Sequence, residues 1–292
     1  MNTNELHLLH LHYSCGGNFR LVKKYYEYDP SFSKLYLLST ENLAKILGIQ
    51  ISKASTIANH LTSVSIQSIL DDLSTKNISY VTVFDHDYPI LLKNIYDPPW
   101  VIYYQGDFSL FHNQPLLSVV GTRHPSSYIQ DELKIILQPV IHKGISIVSG
   151  LALGVDRMAH HLTIEEKGHT IAVLGYGLNW IYPHSNASLF HEIRRNHLLI
   201  SEYPPFVRPQ KWHFPERNRI ISGLSNATFV VEAKEKSGSL ITSDLALQQG
   251  RDVFALPGRI SDSESLGTNK LIQEGAKIIL RANDILEEYF TY

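Results

Sequence analysis

The chain has 292 residues, 43% of them apolar, which is enough to bury a full core and excludes general disorder. Its single cysteine, Cys15, excludes a disulfide framework and a thiolate zinc site, and it fits a reducing, cytoplasmic setting. The formal net charge is −2, so affinity for a polyanion must come from a local cluster of cations. No stretch of about 18 apolar residues runs without a charge, and residues 1–13 lack the basic start and long apolar run of a signal peptide. Neither a membrane span nor an export signal is expected.

Residues 1–75 are polar and carry short helical patterns, as in Ser33–Leu38 and Glu41–Leu47, with few strand-like runs. Leu43–Leu61 reads as a helix, a break at Gly48 and a second helix, the outline of a helix-hairpin-helix or SAM-like module. The N–H groups of such a hairpin can hold a DNA phosphate. Gln50 stands where a second glycine would strengthen the pattern, so a packing module and a weak DNA module both remain open. Residues 76–110, rich in Pro, Asp and Tyr from Tyr80 to Gly106, are expected to form a connector.

From residue 111 onward, short apolar runs alternate with glycine turns and amphipathic stretches, the pattern of parallel β/α units. Strands are predicted at Leu116–Val120, Ile145–Ser149, Thr170–Leu174, Leu198–Ser201, Thr228–Glu232, Val253–Leu256 and Lys277–Leu280. Helices are predicted near Tyr128–His142, Val155–Lys167, Asn186–Arg195, Glu216–Leu224, Leu240–Gln249 and Thr268–Glu274. Near-continuous apolar strands suit a sheet covered on both faces. The expected architecture is a doubly wound α/β domain over 111–292, behind a small helical domain over 1–75.

The turns after these strands carry the chemistry. Gly121-Thr122-Arg123 follows the first, Ser149-Gly150 with Gly154 the second and Gly175-Tyr176-Gly177 the third, while Lys236-Ser237-Gly238-Ser239 opens a later helix. Such turns gather at the carboxyl edge of an open α/β sheet, where ligands bind. Glycine allows close backbone approach, and helix N-termini offer unpaired N–H groups to anions. One glycine turn would be ordinary for a β/α unit, but four, with Arg123 and Lys236 beside two of them, point to phosphate. No Gly-x-Gly-x-x-Gly opens a helix and no Walker A sequence is present, which disfavours dinucleotides and nucleotide hydrolysis.

A second constellation runs from Arg194 to Arg219. Arg194, Arg195, Arg208, Lys211, Arg217 and Arg219 face only Glu202 and Glu216, and Tyr203, Phe206, Trp212 and Phe214 are interleaved with them. Tyr176, Trp180 and Tyr182 lie just upstream. Cations that track a sugar–phosphate backbone, together with aromatic faces that stack on exposed bases, describe a single-strand binder. For Tyr203 and Phe214 a core role is equally open, since aromatics commonly pack interiors. The histidine groups His7/His10/His12, His160-His161 and His184/His191 lack metal-ligand spacing, so no metal is expected. Asp156 could act as an acid or base, although a carboxylate is equally ordinary at a helix N-terminus. No Ser–His–Asp order or Gly-x-Ser-x-Gly elbow is present.

From about Tyr88 to Leu280 the chain resembles the DNA processing protein A (DprA, or Smf) family. The matching stretches are Tyr88-Pro89, Asp97-Pro98-Pro99, Gly121-Thr122-Arg123, Ser149-Gly150-Leu151-Ala152, Gly154-Val155-Asp156, Tyr182-Pro183 with Asn186, and Ser201-Glu202-Tyr203-Pro204. They continue with Phe214-Pro215-Glu216-Arg217-Asn218-Arg219-Ile220-Ile221, Lys236-Ser237-Gly238-Ser239, Pro257-Gly258 and Gly267-Thr268-Asn269. The resemblance implies an extended Rossmann core that dimerises, binds single-stranded DNA without a cofactor and helps load the recombinase RecA in natural transformation. It places the DNA-pocket arginine on Arg123 and the basic helix on Arg217, Asn218 and Arg219. Together with the turn residues Gly121, Thr122, Ser149, Gly150, Gly154, Lys236, Gly238 and Ser239, and with Lys211 and Phe214, these make up the expected interface. Members often carry a cation after the Tyr-Pro, where this chain has His184. Some carry a C-terminal winged helix, not expected here because the sequence stops at Tyr292. The alternative is a Rossmann-type nucleotide phosphoribohydrolase, whose glycine loop is followed by a catalytic Glu; here Gly238-Ser239 is followed by Leu240-Ile241-Thr242-Ser243-Asp244.

Overall fold

The computed structural model describes residues 3–112 and 114–290. Among them, nine strands form one sheet in the order β1-β2-β6-β5-β4-β3-β7-β8-β9. The central strands β3 (Leu116–Val120), β4 (Ser146–Ser149), β5 (Thr170–Leu174), β6 (Leu198–Ser201), β7 (Ala227–Val230) and β8 (Asp252–Ala255) run parallel, and β9 (Lys277–Ile278) extends them. Every residue of β3, β4, β5, β6 and β7 is buried, as expected of strands covered on both faces. The sheet reverses direction of growth at β3 and β7, which places the switch point beside the loop that carries Arg123.

The stretch 76–110, expected as a connector, supplies two strands of the sheet. β1 (Ser79–Thr82) pairs antiparallel with β2 (Val101–Gly106), and β2 pairs antiparallel with β6. Val101, Ile102 and Tyr103 are buried, so these residues cover an edge that would otherwise expose unpaired backbone groups.

Helices cover both faces. On one, α7 (Ile129–His142), α8 (Val155–Glu165) and α13 (Ala282–Tyr289) pack on Leu117, Val119, Ile147 and Phe229. On the other, α10 (His213–Leu224), α11 (Gly238–Gln248), α12 (Leu266–Gln273) and the single turn α6 (Ile90–Lys93) pack on Val148, Ile171, Val173 and Val230. α9 (Ala187–Asn196) lies over β5 and β6.

The N-terminal helices α1 (Thr3–Ser14), α2 (Phe19–Tyr28), α3 (Thr40–Leu47), α4 (Ile51–Ser63) and α5 (Ile66–Thr75) share a core with the sheet. Leu8, Leu11, Tyr25 and Leu47 join Tyr103, Ala172, Leu174 and Leu199 in one buried cluster. Full burial of each such side chain is worth about 1.5–3 kcal/mol, so this contact fixes the helical part on the sheet. Polar contacts set its orientation. The Trp100 indole donates to the Phe19 carbonyl at 3.1 Å, and Lys23 pairs with Asp97 at 3.1 Å. Gly48, at φ 64, caps α3 in the left-handed region, where a side chain would be strained.

Two histidines are sealed in this core. Burial pushes His12 down to about 3 and His160 down to about 3. The Thr170 hydroxyl donates to the Ile147 carbonyl, so His160 Nδ1 donates to Thr170 Oγ1 at 2.6 Å and the ring is neutral. The unfolded chain protonates both rings at about 6.5, and so binds more protons than the fold between that pH and about 3. Stability is therefore full above pH 6.5 and falls on acidification, by up to about 1.4 kcal/mol per pH unit for each ring. Thermal melts from pH 7.5 down to about pH 5 should show this fall, and His160→Asn should flatten it. A melting temperature that does not change over that range contradicts the assignment.

Candidate nucleic-acid interface

α10 organises the carboxyl edge of the sheet. Pro215 sits in its first turn, where a missing N–H costs nothing. Phe214, Arg217 and Asn218 stand at i, i+3 and i+4 and share one face of the helix, whereas Arg219 lies about 200° round from Arg217. The Arg217 side chain is buried among the strand ends. Its Nη1 donates to the Gly150 carbonyl at 2.7 Å and to the Val173 carbonyl, and its Nε donates to Asn218 Oδ1 at 3.2 Å. Asp156 is its buried counter-charge. That carboxylate accepts from the Gly150 N–H at 3.1 Å, and burial raises its pKa against the pull of Arg217.

Phe214 extends from the same face into a small pocket lined by Arg123, Gly150, Leu151, Ala152, Leu153, Tyr176, Tyr182, Pro183, Phe214 and Arg217. The Arg123 guanidinium stands over the Phe214 ring, 5.9 Å from its centroid. Arg123 is exposed and has no hydrogen bond or ion pair among the described residues. The Tyr182 ring lies 5.6 Å from Phe214 at a 35° tilt, and the Tyr176 hydroxyl donates to the Tyr182 carbonyl at 2.5 Å. Leu151, at φ 54, holds a left-handed conformation that is rare for a branched side chain, and its carbonyl accepts from Asn186 Nδ2 at 2.9 Å. Among the described residues, its lining thus offers one unpaired cation, three aromatic side chains and no carboxylate.

Several expected contacts have other roles. Arg219 is buried, with Nη2 on both oxygens of buried Glu202 at 2.7 and 2.8 Å and its guanidinium 4.7 Å from the Phe19 ring. It ties α10 to β6 and to the N-terminal helices, away from the pocket. Arg217 is committed to backbone carbonyls and shapes the pocket floor. The Ser149 hydroxyl donates to the Val119 carbonyl at 2.6 Å, and the Thr122 N–H donates to the Glu232 carbonyl at 2.8 Å, so neither is free for a phosphate.

The glycines are there for close packing. A Cβ on Gly121 would strike Val155, and one on Gly154, at φ 75, would strike the Thr122 carbonyl. Lys211 is exposed just before α10, and Lys236 just before α11. Gly238 and Ser239 begin α11, where the Gly238 carbonyl lies 3.4 Å from Asn218 Nδ2. Of the sequence-predicted residues, Arg123, Gly150, Phe214 and Arg217 meet in the pocket. Tyr176, Tyr182 and Pro183, named in the sequence as neighbours of the basic constellation and as a family motif but left out of the expected interface, join them.

A family model described as DNA recombination-mediator protein A matches residues 79–290. The chain belongs to that family. It is 43% identical over 270 residues to the DNA processing protein DprA of Bacillus subtilis, which covers 92% of this chain and 89% of that protein. The crystal structure of DNA processing protein A from Streptococcus pneumoniae superposes with a TM-score of 0.83 at 36% identity, covering 99% of both chains. DNA processing protein A from Helicobacter pylori, whose structure was described for its single-stranded DNA binding mode, aligns at 32% identity with a TM-score of 0.65, covering 72% of this chain and 95% of that one.

The burial of Arg219 has a measurable consequence. Arg219→Ala leaves Glu202 charged, buried and alone, which should cost about 3–5 kcal/mol of stability. Gly150→Ala, which puts a Cβ 2.5 Å from Arg217 Nη2, should cost about 1–3 kcal/mol by overpacking. Denaturant unfolding measures both. An Arg219→Ala protein as stable as the parent removes the structural role given to that arginine.

Proposed function

We propose that this protein binds single-stranded DNA at the pocket under Arg123, without catalysis, and that it serves recombination of incoming DNA in the cytoplasm. The observation that carries the reading is the unpaired Arg123 guanidinium above the Phe214 face at the sheet's switch point. A guanidinium binds phosphate through two parallel hydrogen bonds, and an aromatic face accepts an unpaired base. The phosphate contact serves either form of DNA, whereas the stacking needs a base that is not already stacked in a duplex. The single-stranded DNA binding mode described for the Helicobacter pylori relative supports the same ligand here.

Lys211, three residues before Phe214, and Lys236, just before α11, are further exposed cations of the expected set that would follow the backbone. Asn218, next to Arg217, reaches the Gly238 carbonyl at 3.4 Å, and Ser239 beside it is buried. The phosphoribohydrolase alternative has little support. Asp156 is buried beneath Arg217, and Asp244 faces a cleft with Arg251 and Lys277 on the β8–β9 side. Neither lines the pocket. Loading of RecA and formation of a homodimer complete the proposal by family resemblance. Exposed apolar side chains late in the chain, Ile260 and Leu280 among them, are compatible with self-association.

Arg123→Ala should weaken binding of a single-stranded oligonucleotide by about 1.5–3 kcal/mol, the range for a hydrogen bond to a charged group. It should change the melting temperature little, because the exposed guanidinium has no hydrogen bond or ion pair among the described residues. Fluorescence anisotropy with single- and double-stranded oligonucleotides reads the affinity, and the parent should prefer the single strand. An Arg123→Ala protein that melts earlier but binds as tightly as the parent would show the residue to be structural and the pocket misplaced.

A further inference from the structure

A second row of aromatic and cationic side chains leaves the pocket and crosses onto the N-terminal helices. Trp180, two residues before the pocket's Tyr182, is covered on one face by the Arg208 guanidinium, 4.8 Å from the ring centroid. The Trp180 indole donates to the Phe206 carbonyl at 3.0 Å, which fixes both residues in place. The Phe206 ring is 45% exposed and meets the Tyr13 ring of α1 edge-on at 4.9 Å. Beyond it an open groove runs between the end of α1 and α4, floored by Tyr13, Gly16 and Ile57 and flanked by Lys53 and His60.

Charge along this row favours an anion. Arg208 and Lys53 are exposed, and neither has an ion pair among the described residues. Asp72, which accepts from the Tyr13 hydroxyl at 3.4 Å, is neutralised by Lys76 at 2.7 Å. A guanidinium plane lying on an indole is itself a surface on which a base can stack. Trp180 stands two residues before Tyr182 of the pocket and is bonded to Phe206, which lines the groove, so aromatic rings and unpaired cations follow one another from the pocket to the groove.

We propose that a single strand leaving the Arg123 pocket continues over Trp180–Arg208 and Phe206 into the α1–α4 groove, where Lys53 holds its backbone. The N-terminal helices then form the far half of one nucleic-acid track. This proposal rests on the pocket reading above, and it separates from that reading by oligonucleotide length. A strand of roughly four nucleotides, at the low end of single-strand site sizes, fills only the pocket, whereas one of about sixteen covers the whole track.

The test is fluorescence anisotropy with oligo-dT of about four, eight and sixteen nucleotides, on the full chain and on Lys53→Ala, Arg208→Ala and their double variant. Both side chains are exposed, so folding should be preserved, and circular dichroism melts confirm it. The double variant should bind the shortest strand within about twofold of the parent and the longest at least about tenfold more weakly, as loss of a stacked base and two phosphate contacts implies. Its plot of log affinity against log salt for the longest strand should flatten by about 0.7 per cation removed. A merely structural role for these side chains would not produce that change of slope. Equal affinity of parent and double variant at every length, with Arg123→Ala still impaired, would overturn the track and leave the pocket standing. Equal losses at every length would also overturn it, since the residues would then belong to the pocket or to the fold. If Arg123→Ala binds all lengths like the parent, the pocket reading fails first and the track fails with it.

Discussion

One buried guanidinium holds the binding edge together. Arg217 reaches from α10 to the carbonyls of Gly150 and Val173 at the ends of β4 and β5, with Asp156 as its counter-charge. A charge removed from water must be paired and hydrogen-bonded to be tolerated, and the two carbonyls, Asn218 Oδ1 and the Asp156 counter-charge meet much of that need. Because Phe214 and Arg217 lie on one face of α10, anchoring the arginine also presents the aromatic ring. Gly150 has no side chain because the guanidinium occupies that space. The pocket is therefore a by-product of how a helix is locked onto a sheet, and its rigidity follows from that lock.

The same helix carries two arginines with divided duties. Arg217 faces the strand ends, and Arg219 faces Glu202 and the ring of Phe19. One sets the pocket floor, and the other couples α10 to the N-terminal helices. Arg123 has no hydrogen bond or ion pair among the described residues, so its N–H groups are available to a ligand. With a net charge of −2 the molecule has no general attraction for DNA, and the free cations near the pocket must supply it.

The parallel core was legible because its strands are unbroken apolar runs between glycine turns. β3 and β5 fall on the predicted residues, and α11 begins two residues before the predicted start. β1 and β2 were hidden in a stretch whose Pro, Asp and Tyr content reads as a connector, and their pairing is antiparallel and non-local. Arg123 and Phe214 were legible as a cation after a strand and an aromatic before a helix. Counting charges could not separate Arg123 from Arg217 and Arg219, since composition is blind to burial. Helical spacing did hold the missing information: residues 217 and 219 cannot face the same way, and only 217 shares a face with 214. The glycine turns were correctly placed, but close packing between loops is what requires Gly121 and Gly154.

The central claim is that a nucleotide lies between Arg123 and Phe214. Photocrosslinking with a single-stranded oligonucleotide carrying 5-iododeoxyuridine, followed by mass spectrometric mapping, tests it most directly. The account predicts crosslinks concentrated on Phe214 and Tyr182 of the pocket. Efficient crosslinking confined to residues outside the Arg123–Phe214 edge of the sheet would contradict it.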